Sequence, residues 1–445
     1  MNKFLAYIQK PVHIAPLAIF RVLFGGMMFF SIVRFAAKGW IYDLYIKPSF
    51  YFTYMGFSWV KPLGEWGMYL VFIALGLSFL LVMLGAFYRV ASISAFVLFT
   101  YVELLDKSNY LNHYYFISIV SFVLCFLPAH RFFSFDVWRK PSLKVSHVPF
   151  WMTAAIKLQL GMVYFFAGVA KINADWLFNA MPLRLWLPAR GDMPVIGFLF
   201  QYSWIAYFFS WFGCIYDLSI PFFLCFKKTR TWAYVFVILF HVLTGMLFYI
   251  GMFPYIMIVS TLIFFEEEFH LKIIDKFNAL FRIKSSEVSL VLPQQHLWLR
   301  NFLLFFFTIQ IILPFRYAAY SGKLFWNEEG FRFSWRVMLM EKGGYAIFKV
   351  HDKDSGRRWE VRNYDYLTPV QEKMMSTQPD MILQFAHFLA EKYRKNGMPN
   401  VEVKVECYVT LNGSPSKLLI NPEVDLTKVN ESFKERDWVL PFEAE

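Results

Sequence analysis

A lysine stands at the end of a long apolar run in the middle of the chain. Residues 160–176, LGMVYFFAGVAKINADW, are almost wholly apolar up to Lys171 and become polar directly after it. Most lysines at the end of a spanning helix place the stem on apolar surface and the charge in water. Apolar surroundings also disfavour the ammonium form of an amine, which then becomes available as a base. On position alone, both interpretations of Lys171 remain open.

Two histidines also lie at or within apolar runs. His113 follows Asn112 at the start of an apolar run, and His241 lies well inside another run. A histidine within a spanning helix is often a packing residue that bonds to a neighbouring carbonyl. A neutral imidazole can also donate or accept one hydrogen bond, which suits the positioning of a ligand oxygen.

Further polar residues interrupt the apolar runs. Lys157 lies fourteen positions before Lys171 on the same predicted helix, so the two share a face. That face is expected to look into the helical bundle, because Lys157 and Gln159 would be costly against lipid. Asp217 is likewise a charged residue within the next predicted helix. We predict that it forms a structural ion pair with Lys157.

Arginines and tryptophans near the ends of the runs permit two interpretations. Arg184 and Arg190 could each bind a carboxylate bidentately, or be solvated or bound to lipid phosphate. Trp326 and Trp335 lie where tryptophans commonly form an interfacial belt.

The composition indicates a polytopic membrane protein. Of 445 residues, 58% are hydrophobic and only 17% are charged, which is more apolar surface than a soluble domain can bury. The net charge of +12 is spread over short loops between apolar runs, which argues against nucleic-acid binding. We expect no cleavable signal peptide, so the first helix would direct insertion.

About nine apolar runs are candidate transmembrane helices, although some are shorter than the ~20 residues a bilayer core requires. The predicted spans are 17–35, 66–88, 90–105, 114–127, 150–170, 203–226, 231–250, 252–265 and 300–317. With the N-terminus in the cytoplasm, lysine and arginine concentrate in the inside loops, as expected. The same topology places Asn112, His113 and Lys171 together at the outer face.

The remaining chain changes character sharply and is predicted to be an extracytoplasmic domain. We therefore divide the chain into a transmembrane helical domain, 1–317, and an α+β, strand-rich domain, 318–445. Residues 345–351 and 358–362 flank a turn-rich stretch and predict a hairpin. Residues 369–393 are typical of a helix that Pro379 interrupts or restarts, and 401–411 predict a half-buried strand.

The cysteines give no metal-binding or disulfide pattern. Cys125, Cys214 and Cys225 fall in apolar runs, and Cys407 stands alone in the C-terminal part. No CxxC pair exists, so we predict no metal site.

Four segments together resemble the vitamin K-dependent gamma-glutamyl carboxylases. GVAKINADW around Lys171 resembles the segment that holds the family's catalytic lysine. DKSNYLNHY, 106–114, resembles its Asn-His segment, and FHVLTGMLFYIGMFPY, 240–255, its Phe-His and Ile-Gly-Met-Phe segment. GFRFSW, 330–335, resembles the start of the region that holds the substrate glutamate. The segments occur in family order and cover most of the chain.

The resemblance implies an integral membrane enzyme that couples oxygenation of reduced vitamin K, from hydroquinone to epoxide, to gamma-carboxylation of protein glutamates. Oxygen and carbon dioxide are the implied co-substrates, and Lys171 is the implied base that activates the hydroquinone. His113 and His241 join Lys171 as implied catalytic residues, and Asn112 joins His113 and Lys171 in binding the cofactor. The implied substrate-binding residues are Arg184, Trp326 and Trp335, and Arg190 is left without a role.

The implied partners are a glutamate-containing exported protein or peptide and membrane lipid. A bacterial inner membrane is the favoured location. Animal members are expected to join their two parts by a disulfide that this chain lacks.

The chain also departs from the family in its substrate region. Phe331 stands where a tyrosine is expected, and Met340 where a histidine is expected. Two alternatives therefore stay open: a quinone- or lipid-binding membrane protein without carboxylase activity, and a quinol epoxidase with a different acceptor. The sequence identifies neither the natural protein substrate, the quinone, the oligomeric state nor any propeptide-binding surface.

Overall fold

The computed structural model describes residues 3–248, 250–282 and 297–442, so residues 1–2, 249, 283–296 and 443–445 of the two predicted domains lie outside the described part. All nine apolar runs form helices within a few residues of the predicted bounds. In chain order these are α1 Ala15–Ala37, α2 Gly64–Leu84, α3 Tyr88–Leu105, α4 Asn112–Phe126, α5 Phe150–Ala170, α6 Ser203–Cys225, α7 Lys227–Leu247, α8 Phe253–Thr261 and α9 Leu297–Ile312.

Seven of the described helices are long and apolar enough to cross a membrane, α9 when counted with its continuation to Ala319, and α4 and α8 are shorter. A 3-10 segment, Leu313–Ala319, continues α9. Short helices and an amphipathic helix lie before, between and after the spans: Lys3–Ile8, Trp40–Tyr45, Phe135–Arg139, Ala174–Leu177, Leu183–Trp186, Glu267–Leu280 and Leu324–Asn327. The polytopic helical fold is confirmed.

Helix α5 lies at the centre of the bundle. About 67% of its most apolar stretch is buried within the protein, against 22% for α9. It packs most extensively against α6, and Gly168 permits their close approach. A Cβ atom at Gly168 would lie 2.8 Å from the backbone nitrogen of Leu218, a contact that neither helix could relieve by moving a side chain. The end of α5 that leads into Lys171 is therefore enclosed by neighbouring helices.

The C-terminal domain combines a sheet with two helices. Four antiparallel strands lie in the order β2-β1-β3-β4, where β1 is Lys342–Asp352, β2 Arg358–Glu360, β3 Val401–Leu411 and β4 Lys417–Leu418. The predicted hairpin is β1–β2, with Val350 opposite Trp359. Alternate residues of β3 are buried, as its pattern predicts. The fold class of this domain is also confirmed.

Two helices pack beside this sheet, α10 Pro369–Met375 and α11 Pro379–Lys395. Pro379 begins the second helix at a position where its missing N–H costs nothing, so the predicted restart is confirmed. Phe385 of α11 packs edge-on against Phe348 of β1, with ring centres 4.9 Å apart.

The two parts of the chain meet through a buried charge network. Lys107, at the end of the α3 span, lies 2.8 Å from Asp380 of α11, and Arg332 lies 2.7 Å from the same carboxylate. Beside them, Gln371 of α10 donates to the Asp106 carboxylate at 2.7 Å. All four cysteines are free, so these contacts hold the domains together without a disulfide.

Apolar residues that precede the predicted domain boundary also belong to the C-terminal core. Phe50 and Phe52 pack in the same cluster as Phe385 and Phe348. Residue 317 itself lies within the 3-10 segment after α9. The boundary at 317/318 stays a prediction.

Candidate functional site

A cavity of about 320 Å³ opens between α5, α6, α7 and α8. Its walls are mostly aromatic and aliphatic side chains, and Val337 and Met338 close it from the chain that leads into the C-terminal domain. Few polar side chains reach it, notably Tyr164, Lys171, Asp217 and His241. A mostly apolar pocket with a few convergent polar groups is the usual form of a site for an apolar small molecule.

Lys171 and Asp217 form a buried pair in this cavity. The Lys171 Nζ lies 2.6 Å from Asp217 Oδ2 and 3.3 Å from the carbonyl oxygen of Ala167, to which it also donates. Only 8% of the lysine side chain and 7% of the aspartate side chain are exposed. The amine therefore faces the cavity, with one carboxylate as its counter-charge.

The predicted Lys157–Asp217 pair is wrong, because Asp217 pairs with Lys171 instead. Lys157 shares a face of α5 with Lys171, but at 1.5 Å per residue it lies about 21 Å away along the helix. Its Nζ lies over the Phe264 ring at 5.9 Å. The spacing identified the correct face of α5 but could not identify the position along that face where Asp217 lies.

Neighbouring groups fix the position of the Lys171 side chain. Trp176 places its ring 5.4 Å from Nζ, and its indole N–H donates to the carbonyl of Ser210 at 2.8 Å. The Ser210 hydroxyl donates back to the carbonyl of Trp176. A Cβ at Gly213 would lie 3.8 Å from Lys171 Cε, in ordinary van der Waals contact, so this glycine packs directly beside the lysine stem.

A second polar pair occupies the same cavity. The His241 Nε2 lies 3.0 Å from the Tyr164 hydroxyl, which in turn lies 3.5 Å from the Thr261 hydroxyl. The ring of His241 is 2% exposed, and its Nδ1 is buried without a protein hydrogen-bond partner. A buried polar atom without a partner is unfavourable, so Nδ1 is free to bond to a ligand.

His113 and Asn112 do not line this cavity. The His113 ring is buried, and its centre lies 5.9 Å from that of Phe253, which is also 5.9 Å from the His241 ring. Phe253 therefore lies between the two imidazoles. The Asn112 amide donates to the carbonyl of Arg336 at 2.9 Å.

The predicted substrate-binding residues also lie outside the cavity. Arg184 is exposed, although its neighbours Leu183 and Trp186 line the wall. Trp326 is buried in the C-terminal core and donates to the carbonyl of Leu440 at 2.8 Å. Trp335 is buried and stacked on Tyr115, with ring centres 4.9 Å apart. The roles given to these residues stay predictions.

The remaining expectations concern Arg190 and metals. Arg190 donates through Nε to the carbonyl of Leu247 at 2.8 Å, which is a structural contact. Among the described residues, no group of three or more histidine, cysteine, aspartate or glutamate side chains could hold a metal ion. The expected absence of a metal stays a prediction.

Sequence reasoning missed Tyr164 and Trp176 and gave Asp217 the wrong partner. A signal existed for Tyr164, which precedes Lys171 by seven residues and therefore lies two turns away on the same helix face. Trp176 lies inside the quoted GVAKINADW segment, but nothing in its spacing predicts a contact with the amine.

Models of two families match the chain. The HTTM domain model matches residues 9–269, and the model of the vitamin K-dependent gamma-carboxylase, lumenal domain, matches residues 295–445. No solved structure matches. The helical bundle with its appended sheet domain therefore defines an HTTM-domain membrane protein.

Because the second match covers the C-terminal part, the chain belongs to the vitamin K-dependent gamma-glutamyl carboxylase family. The resemblance seen in the sequence is confirmed. Membership supports vitamin K-dependent carboxylase activity, a protein substrate and an extracytoplasmic C-terminal domain.

Proposed function

We propose that this protein couples the oxygenation of reduced vitamin K to the gamma-carboxylation of glutamates in an exported protein or peptide, with Lys171 as the group that accepts the hydroquinone proton. The observation that carries the proposal is the Lys171–Asp217 pair, which faces a mostly apolar cavity inside a helical bundle. His241 also lines this cavity, and its Nδ1 is buried without a hydrogen-bond partner.

The residues present fit a quinone. Its ring system is apolar and suits the aromatic walls, and its two oxygens require polar partners of the kind that Lys171 and His241 supply. When bound, reduced vitamin K supplies, with O2, the base strength that no side chain has for removing a glutamyl γ-proton. The mostly apolar walls of the cavity disfavour water, which would otherwise quench such a strong base.

Asp217 supports the role of Lys171 through charge. When Nζ takes up a proton, it becomes a cation in an apolar cavity, which is costly unless a counter-charge lies beside it. The Asp217 carboxylate at 2.6 Å provides that counter-charge and holds the amine in place. A proton accepted at Nζ therefore leaves a pair that is neutral overall.

The histidines have different roles in this proposal. Tyr164 holds Nε2 of His241, so that Nδ1 points toward a ligand oxygen. His113 contributes to the cofactor site through Phe253, which packs against both rings. Asn112 contributes by fixing the segment of Arg336, which carries Val337 and Met338 into the cavity.

The substrate glutamate is proposed to approach from the C-terminal domain, with Arg184, Trp326 and Trp335 as substrate-binding residues. The N-terminus is proposed to lie in the cytoplasm of a bacterial cell, with the bundle in the inner membrane. Arg184 is exposed beside the cavity wall, where an incoming carboxylate could meet it.

The test is a two-product assay on purified protein in lipid nanodiscs. Wild type is supplied with reduced vitamin K, O2 and CO2, with and without a glutamyl peptide, and both epoxide and gamma-carboxyglutamate are measured. We expect both products with peptide, neither from Lys171→Ala, and both from the control Lys157→Ala, which removes a cation that does not line the cavity. Both products from Lys171→Ala would refute the proposed base.

A second candidate function is a quinol epoxidase with a different acceptor. It is favoured by Phe331 and Met340, which stand where hydrogen-bonding side chains are expected and instead pack against the C-terminal core. Epoxide formed at the same rate with and without the glutamyl peptide, and no gamma-carboxyglutamate, would establish this alternative.

A further inference from the structure

A second cavity, of about 300 Å³, lies beside another face of α5. Phe166 and Val169 line it from α5, and Pro314 and Phe315 line it from the segment that follows α9. Among the described residues, this cavity shares no lining residue with the one that contains Lys171. It is therefore a separate site.

A buried arginine without a counter-charge lines this second cavity. Arg336 is 8% exposed, and its guanidinium carbon lies 4.4 Å from the centre of the Tyr317 ring. Its Nε is buried without a hydrogen-bond partner. No carboxylate of the described residues lies within 4.0 Å of its guanidinium, by contrast with Arg332, which pairs with Asp380.

The other charges around the cavity do not compensate Arg336. Lys323 and Asp175 also line it, and they neutralise each other, with Nζ and Oδ2 2.9 Å apart. The cavity therefore carries one excess positive charge. A buried guanidinium is costly unless an anion accepts its hydrogen bonds, so the charge of this site favours an anionic ligand.

The walls indicate where that anion comes from. Phe315 is 46% exposed and Ile172 is 59% exposed, and both lie at the ends of helices that cross the membrane. The apolar side of the cavity therefore faces lipid, and its charged end lies where α5 and α9 terminate, at the depth of lipid headgroups. A free anion requires no such apolar wall. A phospholipid fits both parts of the cavity, with its phosphate at the charged end and its acyl chains along the apolar side.

We propose that this cavity binds one membrane phospholipid, with its phosphate at the Arg336 guanidinium and its acyl chains along Phe166, Val169 and Phe315. A guanidinium bonds to two phosphate oxygens at once, which suits the planar group that Tyr317 holds in place. This inference does not depend on the proposed reaction, because the lipid site and the Lys171 cavity are separate.

The test is native mass spectrometry of the purified full chain in detergent. The protein is incubated with phosphatidylglycerol, with diacylglycerol of the same acyl chains, or with sodium phosphate. We expect one phosphatidylglycerol per chain, at least tenfold lower retention in Arg336→Gln, and partial retention in Arg336→Lys. The matched control Arg362→Gln removes a charge whose side chain is 73% exposed, and it should retain lipid as wild type does.

If Arg336→Gln does not fold, the two lipids still test the proposal on wild type. Diacylglycerol has the same acyl chains as phosphatidylglycerol and lacks the phosphate headgroup. Equal retention of diacylglycerol and phosphatidylglycerol would overturn the proposal. Displacement of the lipid by sodium phosphate at equal concentration would assign the site to a free anion and overturn the lipid. Displacement by a glutamyl peptide would assign Arg336 to the protein substrate and overturn it as well.

Discussion

The buried contact between the two domains gives a quantitative prediction. Asp380 lies between Lys107 and Arg332, whose side chains are 2% and 16% exposed. Asp380→Asn keeps the shape of the side chain but leaves both cations without their shared carboxylate. Removing one partner of a buried ion pair costs about 3–5 kcal/mol, and two cations here lose the same partner. We expect the C-terminal domain to open more often by a corresponding factor.

Cys407 reports that opening. Its thiol is 0% exposed in the core of the C-terminal domain, and burial raises its pKa to about 12, so the folded thiol reacts slowly. At about 1.4 kcal/mol per tenfold change, Asp380→Asn should label at Cys407 roughly 10² to 5 × 10³ times faster than wild type. The rate is measured by thiol alkylation in detergent, followed by mass spectrometry of the peptide that contains Cys407.

Two variants sharpen this test. Lys107→Met leaves the Arg332–Asp380 pair intact and should accelerate labelling less than Asp380→Asn does. Asp365→Asn removes a carboxylate that is 46% exposed and should leave the rate unchanged. Equal labelling of Asp380→Asn and wild type would refute the idea that this network keeps the C-terminal domain in its docked, folded state.

Three further predictions concern packing, hydrogen bonding and pH. Gly168→Ala should destabilise the protein by about 1–3 kcal/mol in thermal unfolding and lower carboxylation, because the new Cβ forces α5 away from α6. The control Gly161→Ala should be tolerated, since its nearest contact would lie at 3.7 Å. Tyr164→Phe leaves Nε2 of His241 without its partner and should lower epoxide formation roughly tenfold, and an unchanged rate would contradict the proposed role. Burial raises the pKa of Asp106 to about 6, so the folded protein holds this proton more tightly than the unfolded chain, and the unfolding free energy should fall by about 2 kcal/mol between pH 4 and 6. Asp106→Asn should remove that decrease in a pH series of unfolding measurements.

The low pH limit of stability should come from Asp380. Burial alone would raise the pKa of this carboxyl, but Arg332 and Lys107 hold it well below its ordinary range. Its stabilising contribution is therefore complete above pH ~4 and is lost only as the pH falls through the folded pKa. The effects of Asp106 and Asp380 thus occupy different pH ranges.

The helices and strands were predictable because their apolar patterns are strong. Predominantly apolar runs located all nine helices, and alternation located β3 at residues 401–411, as observed. The position of Pro379 predicted a restart of the helix for a local reason, the missing N–H. In each case the information lies within one segment of the chain.

The partners of buried charges were not predictable in the same way. Asp217 was recognised as a buried charge, but Lys157 and Lys171 share one face of α5. Which of the two lies opposite Asp217 depends on how α5 and α6 are aligned along their axes and how closely they pack. Small residues such as Gly168 set how closely the two helices pack. Its contact with Leu218 exists only when α5 and α6 are assembled, so it cannot be read from either segment alone. The Arg332–Asp380 contact joins residues 48 positions apart and likewise requires the assembled domains.

Quinol-dependent oxygen uptake reports directly on whether the Lys171 amine is the base. It is measured on membranes that contain equal amounts of wild type, Lys171→Ala or Lys157→Ala, after addition of reduced vitamin K. We expect uptake by wild type and Lys157→Ala, and only background uptake by Lys171→Ala. Wild-type uptake by Lys171→Ala would contradict the assignment of this amine as the base.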